Sequence, residues 1–353
     1  MKKNWWKYLG ALLVLYAIII GIYRPLNPGI LKISNYNVIA GGTYDLDIST
    51  YNTDFQSGDD IDAFIKINDT FGIQSSKVEV IDFNFIKATF DIPAKLPNIV
   101  NRDAYSLIVS ASGVGSFVRP GGIFITQKVI DLEGAIAAWP KSNFGDFKKA
   151  AKKNFPFRAI LYESLRNLFY HVPMWFGMTF MLIGSLVYGV LYLIKNEMKF
   201  DIYSKCLTKV AVLYGVLGCA TGSIWAKGTW GTWWTFQEIK LNVSLAALLL
   251  YFAYFLLRSA IDDEMIRAKV SSIFSIIAFV ATILLLFVIP RIVTDSLHPG
   301  NGGNPGFGGE DLDSTLRTVF YPAVIGWTLL GFWIAQLSWR TELLQDYLLE
   351  KFD

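Results

Sequence analysis

The chain has 353 residues, of which 53% are hydrophobic, 15% aromatic and 17% charged, with a mean hydropathy of +0.39 and a formal net charge of +3. Soluble globular chains carry about 25% charged residues, so this balance predicts several membrane-spanning runs and excludes a disordered chain. Two Cys exclude a disulfide scaffold, and +3 spread over this length is no electrostatic footprint for nucleic acid.

The first expected span runs from about Tyr8 to Tyr23, within a segment 1–30. Lys2, Lys3 and Lys7 give it a basic head. Ile22-Tyr23-Arg24-Pro25 offers no small-x-small cleavage site, and Trp5 and Trp6 resemble an interfacial belt, so it reads as a retained helix.

Strand alternation follows in Tyr44–Ile48, Val78–Phe83, Tyr105–Val109 and Ile123–Thr126. Gly41-Gly42, Ser57-Gly58-Asp59 and Pro120-Gly121-Gly122 read as the turns between them. A β-sandwich over about Leu31–Val129 is expected, within an extracytoplasmic β-rich domain 31–143. It holds no His, no Cys and no carboxylate cluster with ligand spacing, which suits a spacer or docking module. Residues 144–170 read as an amphipathic interfacial segment. Phe147–Lys153 is basic, and Phe157–Leu165 has the pattern of a helix lying on the outer leaflet.

Five more spans are expected at about Val172–Ile194, Val210–Trp225, Leu241–Leu257, Ile273–Ile289 and Val319–Trp339, forming a membrane core 171–339 before a tail 340–353. The predicted fold class is therefore a polytopic α-helical membrane protein with six transmembrane helices and a β-sandwich-like extracytoplasmic domain between the first two. Lys195, Lys199, Lys205 and Lys209, then Arg258, Arg267 and Lys269, then Arg340 and Lys351 fall on the side of the N-terminal lysines. The positive-inside rule puts both termini in the cytoplasm. The loops after the first, third and fifth spans then face outward.

His171 and His298, the two His of the chain, both fall at that outer face. Between them, Trp225-Ala226-Lys227-Gly228-Thr229-Trp230-Gly231-Thr232-Trp233-Trp234-Thr235-Phe236 crowds four Trp and a Phe into what reads as an outer loop. Gly between the rings suggests a broad apolar shelf. A planar apolar ligand with two axial imidazoles needs such a shelf, and haem b is the candidate. Its iron would bring the two ring nitrogens to roughly 4 Å from each other, at about 2 Å per bond. The propionates call for outer cations, of which Arg166 ranks first and Lys240 second.

Tyr170-His171-Val172-Pro173, Thr221-Gly222-Ser223-Ile224-Trp225, Trp230-Gly231-Thr232-Trp233-Trp234 and the late His298 together resemble the CcmC family of haem-handling proteins of cytochrome c maturation. The resemblance covers about Leu165–Trp339 and the first span. It implies a six-span inner-membrane protein of bacteria, with haem held outside by His171 and His298 over Trp230, Trp233, Trp234 and Phe236. It further implies delivery to a periplasmic CcmE-type haem chaperone, beside the CcmA/CcmB transporter and CcmD. The family's Trp-rich loop continues Trp-Asp-x-Arg-Leu; here, with one residue inserted, Glu238 stands for the Asp and Lys240 for the Arg. The glycine-rich run after His298, Pro299 to Gly309, is unlike the usual context and reads as a flexible lid or a linker. The β-domain is extra, and would dock the chaperone or another maturation protein.

Three other readings differ in their His or in their ligand. A cytochrome c synthase of the CcsA type shares the Trp loop but carries further His within its spans. A b-haem electron-transfer subunit would bury its His inside helices. A membrane adaptor working through the β-domain would bind no haem. A haem-presenting protein without side-chain catalysis is the leading expectation. Cys206 and Cys219 stand about 20 Å apart along one helix, too far for a disulfide.

Overall fold

A computed structural model describes residues 4–139, 154–159, 161–293, 296–298 and 312–352. The basic run Phe147–Lys153 and the proposed lid from Pro299 to Gly309 lie outside the described residues. The chain divides into two compact units, Pro25–Tyr162 and Met1–Arg24 with Glu163–Asp353.

The smaller unit contains strands β1 (Gly29–Ile33), β2 (Asn37–Ile39), β3 (Thr43–Tyr51), β4 (Ile61–Lys66), β5 (Gly72–Gln74), β6 (Lys77–Asp82), β7 (Phe85–Asp91), β8 (Arg102–Ala111) and β9 (Gly115–Thr126). One sheet has the order β1-β3-β7-β6 and the other β2-β9-β8-β4-β5. Pairing is antiparallel except between β2 and β9. Alternate residues turn inward, so Ile48, Ile86 and Phe90 from one sheet meet Ile65, Leu107, Val109 and Ile123 from the other in one buried cluster. The unit is thus β-rich with two sheets over a shared core.

Two local expectations need correction. Pro120-Gly121-Gly122 is no turn, because it lies inside β9. Tyr105 pairs with Ile123 and Leu107 with Arg119, so three residues of β9 bulge against one of β8. Gly121 takes φ +60, and Pro120 has no N–H to give a ladder, which suits a bulge. The chain reverses earlier, at Gly113 with φ +78. The helix expected over Phe157–Leu165 is also displaced. Phe155 bridges Leu26, with Asn27 N–H donating to its carbonyl at 2.7 Å. The Phe157 ring stacks on Tyr51 at 5.6 Å. Pro156 disfavours helical geometry at Phe155, and a 3₁₀ helix begins only at Tyr162, running to Phe169. A short helix, α2 (Leu132–Ala138), is capped by the Asp131 carboxylate.

The larger unit holds α1 (Trp5–Tyr23), α3 (His171–Lys195), α4 (Met198–Trp230), α5 (Ile239–Ser259), α6 (Glu264–Ile283) and α8 (Ser314–Phe352). After α6 comes a π-helical stretch Leu284–Val288, then α7 (Ile289–Ile292). Among the described residues, six helical stretches are long and apolar enough to cross a membrane. α1 lies on α8 where glycines let the backbones approach: a Cβ on Gly10 would come within 2.8 Å of Leu329 Cβ, and one on Gly326 within 2.9 Å of Leu13 Cβ. α3 packs on α4, α6 and α8 around buried Met178, Met181, Leu182, Leu207, Tyr214 and Tyr251. Leu12, Ile19, Val187, Ile277 and Val280 are exposed, so the bundle is apolar outside as well as inside. Helices solvated by lipid have this character.

Candidate functional site

Pro173 sits in the first turn of α3, where its missing N–H costs no intrahelical bond, so α3 starts at His171. α3 and α4 form an antiparallel hairpin that turns at Asn196, held in the left-handed region with φ 59. This returns the last third of α4 to the start of α3. His171 Nδ1 lies 2.9 Å from the Gly218 carbonyl oxygen and 3.3 Å from Thr221 Oγ1. A carbonyl only accepts, so Nδ1 carries the proton and the lone pair is left on Nε2. The ring rests on Gly222, where a Cβ would fall 2.8 Å from His171 Cε1. Trp175 stands edge-on at 6.2 Å.

His298 comes to the same end of the bundle. Its ring centroid is 6.3 Å from that of His171, with the planes tilted by 47°. Two imidazoles on opposite sides of one metal, each about 2 Å from it, place their centroids roughly 6 Å apart. Trp225 and Trp230 flank His298 at 5.9 and 6.5 Å and meet each other edge-on at 5.1 Å.

The tryptophan segment differs from the expected loop. α4 stays helical through Trp230 and stops at Gly231, whose φ of +78 favours glycine. Trp225 and Trp230 are therefore helix residues turned toward His298. Trp233 and Phe236 follow in the loop and are exposed at 57% and 75%. Trp234 is half-buried, and its buried indole N–H has no hydrogen-bond partner among the described residues. The aromatics form two groups, one at the imidazole and one facing outward, rather than a single flat shelf.

The charged residues bond to backbone groups and to neighbouring side chains. Glu238 is buried and caps α5, accepting from Lys240 N–H at 3.3 Å. The same carboxylate accepts from Ser296 Oγ at 2.7 Å and from Leu297 N–H at 2.9 Å. Burial pushes its carboxyl up, but the bonds from Ser296, Lys240 and Leu297, with His298 nearby, outweigh this and hold it below the usual carboxylate range. Lys240 Nζ donates to the His298 carbonyl at 3.3 Å. Arg166 is engaged elsewhere. Its Nη1 donates to the Gly21 and Arg24 carbonyls, both at 2.7 Å, and its Nε pairs with Glu163. The guanidinium thus satisfies the C-terminal end of α1, where carbonyls lack helical partners.

The structure therefore brings His171, His298, Trp230, Glu238 and Lys240 into one cluster, and turns Arg166 Nη1 to the C-terminal carbonyls of α1. Gly218 escaped the sequence reading, and Thr221 and Gly222 entered it only as part of the family motif, without a role at the imidazole. Gly218 and Gly222 are four residues apart on one helix face, a spacing that signals a flat bed for a neighbour. Trp225 was read as the start of the outer loop, because the apolar run ends there, whereas it is a helix residue beside His298. Among the described residues no group of three or more His, Cys, Asp or Glu gathers as a metal site. Two imidazoles alone would leave a zinc ion short of its usual four protein or water donors.

Comparison with known proteins adds a second line. The family model for CcmC, heme exporter protein C, matches residues 157–351, more than half of the chain. A heme exporter protein C of Paracoccus denitrificans is 23% identical over 180 residues, 51% of this chain and 73% of its own length. One from Haemophilus influenzae is 28% identical over 145 residues, 40% of this chain and 55% of its own. A ccmC-like mitochondrial protein of Marchantia polymorpha is 28% identical over 127 residues, 36% of this chain and 53% of its own. The chain thus spans between about half and three quarters of these relatives.

Proposed function

The chain belongs to the CcmC, heme exporter protein C, family, and on that premise we propose that it collects haem b and presents it for the maturation of c-type cytochromes. His171 and His298 would hold the iron of the haem, and Trp230, Trp233, Trp234 and Phe236 would give it apolar cover. Haem brings four equatorial nitrogens of its own, so a pair of imidazoles completes its iron. The observation that carries this reading is the imidazole pair at 6.3 Å, with His171 Nδ1 tied to Gly218. A carbonyl that accepts the other ring N–H in this way orients a ligating imidazole and raises its basicity.

In this reading the protein is a carrier, and its residues bind and release cargo without altering a bond in it. It sits in the bacterial inner membrane with both termini cytoplasmic and the haem site periplasmic. The β-domain, 31–143, is extracytoplasmic. A CcmE-type chaperone takes the haem, with the CcmA/CcmB transporter and CcmD alongside. Exposed Trp233 and Phe236 suit a site that a partner must reach.

The test is an absorption titration of the detergent-purified protein with hemin. The unsubstituted chain should give the Soret and visible bands of bis-imidazole haem. His171→Ala and His298→Ala should each weaken retention by about tenfold or more, as loss of one strong ligand bond requires, and should fail to load the chaperone. Two variants that keep full haem content and load the chaperone normally would sink the assignment.

A further inference from the structure

Glu238 stands where the family's loop has an acidic residue, and its hydrogen bonds run to the segment that carries His298. Both carboxylate oxygens are used by the short segment that carries His298: one by Ser296 Oγ at 2.7 Å, the other by Leu297 N–H at 2.9 Å. Ser296 Oγ in turn accepts from His298 N–H at 3.2 Å. Lys240, two residues on, holds the His298 carbonyl at 3.3 Å. Three consecutive residues are thus fastened, through side chain or backbone, to the first turn of α5 and its cap.

We infer that Glu238, with Lys240, is a positioning device for the His298 ligand, a two-point clamp that fixes an otherwise irregular segment against the start of α5. The segment 296–298 has no helix or strand geometry to orient it. An imidazole on such backbone reaches one position repeatably only if the backbone is tied down. The carboxylate is a fitting tie, since it is buried and itself held at the α5 cap by Lys240 N–H. The clamp is separable from the haem contacts, because Glu238 holds Ser296 Oγ and Leu297 N–H, just before the ligand, and Lys240 holds the His298 carbonyl, so these bonds do not use the imidazole ring. This inference rests on His298 being a haem ligand, as proposed above.

The experiment uses the full-length protein in detergent, with Glu238→Ala, Glu238→Gln and His298→Ala in parallel. Without haem, amide exchange at Leu297 should run at least about tenfold faster in Glu238→Ala, because its acceptor is gone. Glu238→Gln, which keeps one acceptor oxygen, should fall between. With hemin, Glu238→Ala should shift from six-coordinate low-spin toward five-coordinate bands while His171 stays bound, and added imidazole should restore the first spectrum. Unchanged Leu297 exchange together with an unchanged spectrum in Glu238→Ala would overturn the clamp. If Glu238→Ala does not fold, Ser296→Ala removes one tie alone, and faster Leu297 exchange is again expected, with unchanged exchange counting against the clamp. His298→Ala separates the two ideas. If it leaves the spectrum unaltered, the ligand assignment fails and Leu297 exchange alone decides the clamp. If it alters the spectrum and Glu238→Ala does not, the clamp fails and the ligand stands.

Discussion

His171 is held by three features of one helix face: the Gly218 carbonyl, the Thr221 hydroxyl and the bare surface of Gly222. The last is the most testable. In a helix interior, Gly→Ala ordinarily stabilises by about 0.5–1 kcal/mol through backbone entropy. At Gly222 the new methyl would lie 2.8 Å from His171 Cε1, so the ring must move. Gly222→Ala should therefore weaken haem binding by about tenfold, the worth of one hydrogen bond and its alignment, while the thermal midpoint holds or rises. Hemin titration and a melting curve on the same sample check this. Unchanged affinity would show that the imidazole has room to shift. The two His and the aromatic run were readable in the sequence because they are rare residue types. The flat bed was not, because a glycine's meaning depends on what crosses it.

At the scale of elements, α4 and α5 are tied at the end far from the imidazoles. Asp201, in the first turn of α4, and Arg258, in the last turn of α5, form two parallel bonds of 2.7 Å. Their side chains are 4% and 7% exposed. The Arg258 guanidinium also lies 5.7 Å from the Tyr254 ring. Arg258 read as one of several topology-setting charges, and Asp201 drew no notice, because partners 57 residues apart share no local pattern. Removing one partner leaves a buried charge, at a cost of about 3–5 kcal/mol. Asp201→Asn should accordingly lower the detergent melting midpoint. Haem bands at low temperature should persist, since Gly218 lies roughly 25 Å along α4 from Asp201. An apolar double replacement, Asp201→Leu with Arg258→Met, should recover most of the loss. A single variant as stable as the unsubstituted protein would show the pair to be dispensable.

At the scale of the whole molecule, the described neighbours of the imidazole pair, Gly218, Thr221, Trp175, Trp225 and Trp230, fall in the helical unit. The family match begins at residue 157 and leaves the sheets outside it. Replacing about Leu31–Val129 with a short flexible linker should therefore leave hemin binding and its spectrum intact in protein that elutes as a single species. Loss of the Soret band in such protein would show that the sheets shape the pocket.

Hydrophobic runs and strand alternation sufficed for the number of spans and for a β-rich insertion, because lipid and a two-sheet core each impose a period that any window reveals. Helix ends were less clear. α4 outruns its apolar stretch at both ends, since capping at Gly231 and packing on α3 set its length. Pro120-Gly121-Gly122 has turn chemistry, but pairing with β8 keeps it in a strand as a bulge. What the chain alone determined was the inventory: two imidazoles, an indole-rich segment and an acidic residue beside it. Only the tertiary structure decided which of these meet. Hydrogen bonds and ring contacts join residues 47, 58 and more than a hundred positions apart, and no one-dimensional pattern records such pairs.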